Sequence, residues 1–224
     1  MADDEGKKES KNKVRRNVGI AAVVVLVGWL VLKNGPVMHE DVPVTTYAIG
    51  VEDSGKARTA SAWDPKWQSH FGGVDTPGKR QNQDNWPAGF KPKENPFYVA
   101  LPYDELASNG TVKKSATQLP WYDAKRPPTK TYSTLKNRWI MVKFDVRTVY
   151  VQWEDVGPGG ADDASYVIDG KPPKHKAAGI GLSPAAMQYL AAKDGDAVGW
   201  RFVDADEVPA GPWKTIVTNR QVTR

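Results

Sequence analysis

Residues 149–158 read VYVQWEDVGP, and residues 179–190 read GIGLSPAAMQYL. From Arg147 to Trp153 apolar and polar positions alternate, the period of a half-buried strand, and Gly157-Pro158 stops the run in a turn. In the second stretch Ser183 is a good helix N-cap and Pro184 stands at the first helical position, so a short helix is expected through Leu190. Asp194-Gly195-Asp196 then reads as a turn. A strand, a glycine-proline turn, a polar loop and an N-capped helix thus follow one another within 42 residues.

Working outward, further short β-type runs are expected at 46–51, 97–101, 139–144, 146–153, 166–168 and 198–203. Glycine (20) and proline (17) supply the many turns that such strands need. With 40% hydrophobic and 25% charged residues, the chain of 224 has the composition of a globular protein, long enough for one mid-sized domain with additions. Cysteine is absent, which excludes disulfides, thiolate metal sites and cysteine nucleophiles. Residues 75–93 and 108–130 are polar and read as long loops inserted between strands.

Residues 18–32 read VGIAAVVVLVGWLVL without a charge. Such a helix covers roughly 22 Å, and the flanking Asn17 and Lys33 extend it toward the roughly 30 Å of a bilayer core. No pair of small residues suited to a signal peptidase follows Leu32, which favours an uncleaved anchor over a cleaved leader. Lys7, Lys8, Lys11, Lys13, Arg15 and Arg16 precede the span and only Lys33 closes it, so the N-terminus is expected in the cytoplasm and the rest outside. The expected organisation is a basic cytoplasmic tail (1–17), a transmembrane signal-anchor (18–33), a linker (34–45), an extracytoplasmic domain (46–218) and a C-terminal tail (219–224). Residues 1–33 hold seven basic and four acidic residues, +3 of the net charge of +5, and the near-neutral remainder argues against a nucleic-acid partner.

The pattern from 46 to 217 resembles the double-psi β-barrel domains of the RlpA, expansin and barwin group. Asp155-Val156-Gly157-Pro158 matches that group's strand-ending turn, and Leu182-Ser183-Pro184-Ala185-Ala186 its Ala-rich helix start. Tyr98-Val99-Ala100-Leu101-Pro102 is similar to its segment ending in Leu-Pro, and Ala60-Ser61-Ala62-Trp63-Asp64 with Gly72-Gly73 to its opening strand, all in the family's order. The resemblance implies a mainly β protein: a six-stranded double-psi β-barrel with long loop insertions and one or two short helices, behind the N-terminal transmembrane helix. It implies a groove beside Asp155, the residue matching the family's turn aspartate and its acid/base group. The family's second aspartate position holds Gly181, and its histidine position holds Tyr98. The resemblance therefore points to an envelope protein, anchored in the inner membrane, that binds peptidoglycan or another polysaccharide without cleaving it.

Two alternatives stay open: a divergent lytic transglycosylase using Asp155, and a structural subunit whose inserted loops contact other envelope proteins. Aromatic rings near the polar stretches could stack on sugar faces, with carboxylates orienting them. Trp63, Trp67, Trp86, Tyr98, Trp121, Tyr122, Glu154 and Asp155 form the expected glycan-binding set. His39, His70 and His175 have no metal-ligand spacing, and no nucleotide-binding or nucleophile-elbow motif occurs, so neither metal nor cofactor is expected.

Overall fold

The computed structural model describes residues 37–53, 55–81 and 85–223. The expected tail and membrane anchor at 1–33 lie outside them. Among the described residues no helix is long and apolar enough to cross a membrane.

The fold is mainly β. Its strands are β1 (His39–Thr46), β2 (Glu52–Asp53), β3 (Lys56–Ala57), β4 (Tyr98–Leu101), β5 (Trp139–Phe144), β6 (Arg147–Val156), β7 (Ile180–Leu182) and β8 (Ala197–Val203). Among the described residues three short α-helices accompany them: α1 (Trp67–Phe71), α2 (Ala164–Val167) and α3 (Pro184–Leu190). Six strands close into a barrel in the order β1-β7-β4-β6-β5-β8, with β8 returning to β1. The β1–β7 and β4–β6 pairs are parallel, and the other four contacts are antiparallel. Closure leaves no free edge in this sheet, so the domain needs no disulfide to protect one.

Strand β6 alternates as its sequence requires through Val151, then stays buried from Gln152 to Asp155. The second half is covered from outside. Gln152 accepts hydrogen bonds from the Thr218 backbone (2.8 Å) and from Asn95 Nδ2 (2.9 Å). Opposite β4, Val99 pairs with Trp153 but Ala100 pairs with Asp155, so Glu154 is an extra residue in the ladder. This bulge turns two consecutive carboxylates into the protein. Helix α3 forms as its caps dictate: Ser183 Oγ accepts from Ala186 N (3.2 Å) and Pro184 opens the helix.

Four segments depart from the sequence expectation. The expected linker at 34–45 contains most of β1, and the chain leaves the strand at Thr46, where a strand was expected to begin. Residues 166–168 fall in and beyond α2, not in a strand, because Asp163 caps the preceding turn by accepting from Tyr166 N (3.4 Å). Strand β7 has no counterpart in the expectation; three residues are too few to carry a period. The segment 219–224 is no free tail: Val222 is buried and Thr223 N donates to Trp63 O (2.9 Å).

His39 opens β1 inside the core. Its ring stacks on Trp200 at 3.8 Å and meets Tyr166 edge-on at 5.3 Å. Burial lowers its pKa from 6.5 to about 4. Between those values the unfolded chain holds a proton that the native chain refuses, so this residue's contribution to stability falls as pH drops from 6.5 to 4. The shift from 6.5 to about 4 corresponds to about 3 kcal/mol. His39→Phe keeps the stacking and removes that term. Urea unfolding at pH 7.5 and 4.5 should show the variant gaining on the native chain at the lower pH; an unchanged difference would refute the assignment.

Candidate functional site

A cleft of about 630 Å³ opens where β1 and β6 end. One wall is Thr45, Thr46, Tyr47 and Ala48; the second is Val156 and the Gly157-Pro158-Gly159-Gly160 turn; Glu52, Arg58 and His175 join Val51 and Pro77 in completing it. Oxygen- and nitrogen-bearing side chains surround the opening, which suits a polar ligand.

Tyr47 is the centre of this site. Its Oη donates to Asp155 Oδ2 at 2.6 Å, and the Arg58 guanidinium lies 3.6 Å from its ring centroid. Arg58 Nη1 also donates to Ala48 O (3.2 Å), which holds the cation against the ring. Burial, with the Asp155 charge adding to it, raises the Tyr47 pKa far above its ordinary value. Tyr47 is therefore a neutral hydroxyl at any working pH, a hydrogen-bonding group and not a base.

The ring rests on glycine. A Cβ at Gly181 would stand 2.7 Å from Tyr47 Cδ2 and 2.9 Å from its Cβ, inside contact distance. Gly181 belongs to β7, paired with Ala100 and Thr45, so the backbone has little room to retreat. The Tyr47 ring fills the space that any side chain at position 181 would need. On the opposite wall a Cβ at Gly159 would meet His175 Cβ at 2.5 Å, and its φ of 79° is a left-handed conformation that glycine adopts without strain.

Asp155 lies behind Tyr47, is 4% exposed and does not line the cleft. Oδ2 takes the Tyr47 hydrogen bond; Oδ1 accepts from Ala62 N (2.7 Å) and from Val156 N (2.7 Å). Burial pushes its pKa up to about 6, against the opposing pull of these three donors. The carboxyl ties β6 to the segment at Ala62 and orients Tyr47.

The expected glycan-binding set is dispersed. Trp63, Trp67 and Tyr98 are core residues, none more than 2% exposed. Trp63 packs against Trp153; Trp67 and Tyr98 pack on each other beneath Tyr47. Tyr98 Oη donates to Asp75 (2.8 Å), which pairs with Arg80 (2.5 Å), and this buried junction folds the start of the 75–93 insertion over the rings. Glu154 is buried on an ion pair with Lys136. Trp86, Trp121 and Tyr122 are half-buried outside the cleft; Trp121 packs on Phe202 at 4.8 Å. Of the set, Asp155 meets the site through its hydrogen bond to Tyr47, and Trp67 supports the buried side of that ring.

Tyr47, Arg58, Thr46 and His175 escape a sequence reading because the end of β1 and two separate irregular segments bring them together. The one local signal is the Gly157–Gly160 run, whose missing side chains leave room for the opening. No family model matches this chain, and comparison with curated proteins gives no match.

Proposed function

We propose that the barrel is a double-psi-type domain that binds peptidoglycan or a similar polysaccharide in the Tyr47 cleft without cleaving it, as part of a membrane-anchored envelope protein. Two parallel strand pairs within one closed six-stranded barrel support the double-psi reading. The charge-free run at 18–32 behind a basic cluster supports the anchor. The observation that carries binding over cleavage is the state of Asp155: both its oxygens are engaged inside the protein, and Tyr47 occupies the place of a second carboxylate. Glycoside hydrolysis ordinarily needs two carboxylates that reach the scissile bond, and a lytic transglycosylase needs one; Asp155 has both oxygens engaged behind Tyr47. The cleaving alternative has one observation in its favour, the carboxyl whose pKa of about 6 suits a general acid.

Detergent-solubilised full-length protein, incubated with purified peptidoglycan sacculi, should pellet with them and release no soluble muropeptides. Arg58→Gln should weaken pelleting about tenfold through loss of a charge-assisted contact. Release that disappears in Asp155→Asn would establish cleavage and overturn the proposal. Neither pelleting nor release would leave the assembly-subunit reading in its place.

A further inference from the structure

A second pocket, of about 330 Å³, lies between the end of the 108–130 insertion and the start of β5. Arg126, Arg138, Trp121 and Tyr132 line it, with Lys136 among the buried residues of its wall. Each arginine lies over an aromatic ring: Arg138 is 4.2 Å from the Trp121 centroid, and Arg126 is 4.2 Å from that of Tyr132. Such stacking fixes a guanidinium plane and leaves its N–H edge available.

The charges here are unevenly matched. Lys136 is committed to Glu154. Arg138 uses its Nε on Thr134 O (3.2 Å), and its nearest carboxylate, the exposed Asp204, stands 3.9 Å away. That is too long for a direct hydrogen bond. Burial lowers the Arg138 pKa, with Asp204 opposing, which marks a guanidinium that has lost water without gaining a close counter-ion. The Trp121 indole N–H is buried and has no acceptor. Two guanidinium groups seated on aromatic rings, with no carboxylate within hydrogen-bond distance of Arg138, make a cationic wall that calls for an anionic ligand.

We propose that this pocket is an oxyanion site that takes a phosphate group, either as inorganic phosphate or as a phosphate monoester on a small molecule. A phosphate dianion matches the charge of the two guanidinium groups, whereas a carboxylate carries one negative charge. The site is independent of the Tyr47 cleft and of any glycan bound there.

The test uses the full-length protein and its tryptophan fluorescence at constant ionic strength. Inorganic phosphate, glucose 6-phosphate, dimethyl phosphate and acetate are titrated in turn. Phosphate or the monoester should give a saturable change, with acetate and the monoanionic diester at least about tenfold weaker. Arg126→Gln, an exposed position that leaves the core intact, should weaken binding about tenfold or more. Arg138→Lys keeps the charge but removes the fork and should do the same, and Trp121→Phe should lose both affinity and signal. Tighter binding of the monoester identifies an organic phosphate as the ligand; equal binding identifies the free ion. No saturable response, a response equal for acetate and phosphate, or one that survives Arg126→Gln and Arg138→Lys unchanged would overturn the proposal.

Discussion

Lys136→Met should destabilise the barrel by about 3–5 kcal/mol at pH 8, the usual cost of stranding one partner of a buried ion pair. Lys136 and Glu154 are 5% and 2% exposed, and the ammonium is the one charged partner of a carboxylate whose other oxygen, Oε1, has no hydrogen bond. Burial pushes the Glu154 pKa up to about 7, and Glu94 and Asp64 push the same way against the attraction of Lys136. Raised above its unfolded value of 4.5, this carboxyl favours the native state below that value and loses the advantage as pH rises through 7. Removing Lys136 must therefore hurt most in alkaline solution and least near pH 5, where Glu154 already carries a proton. Lys136→Met with Glu154→Leu, which removes both charges, should recover most of the loss. Urea midpoints at pH 8 and pH 5 for the native chain, the single variant and the double variant decide the matter. A single variant as stable as the native chain at pH 8 would mean that the pair contributes nothing.

That pair also shows how far the sequence could be read. Strand β6 and helix α3 are legible because their causes are local: alternation for one, Ser183 and Pro184 for the other. The bulge that buries Glu154 beside Asp155 arises from register with β4, some 50 residues away in the chain, and no local pattern announces it. Strand β1 is hidden by Pro43, a residue that usually breaks sheets. It is tolerated because its carbonyl accepts from Gly179 N (2.8 Å), and the ladder asks nothing of the nitrogen it lacks. The aromatics mislead for a related reason. Trp63, Trp67 and Tyr98 lie near polar stretches, but the Asp75–Arg80 junction and the C-terminal segment cover them. Composition identifies a polar loop; it cannot tell whether that loop turns outward or folds back as a cover. The sequence reading set Asp155 beside a groove; in the fold it is buried behind Tyr47, which lines the cleft in its place and carries no local signal.

Placing an aspartate at position 181 tests why the Tyr47 ring packs there. Gly181→Asp should cost about 3–5 kcal/mol, from overpacking against the Tyr47 ring and from a carboxylate forced into a buried site near Asp155. The contacts of 2.7 and 2.9 Å are with the near end of the tyrosine side chain, which cannot swing away as a flexible tip could. Tyr47→Ala alone should cost a similar amount, through the cavity left under Arg58 and the lost hydrogen bond to Asp155. If ring and aspartate compete for one space, the double variant must be more stable than the two losses added, by at least about 1 kcal/mol. Additive losses would mean that the ring does not exclude the aspartate. The double variant also uncovers Asp155 and sets a second carboxylate beside it at the cleft. Release of muropeptides by that variant, and by neither single one, would locate the barrier to cleavage in the Tyr47–Gly181 contact. With coupling present but release absent, the contact would explain the packing of this barrel and not the chemistry of its cleft.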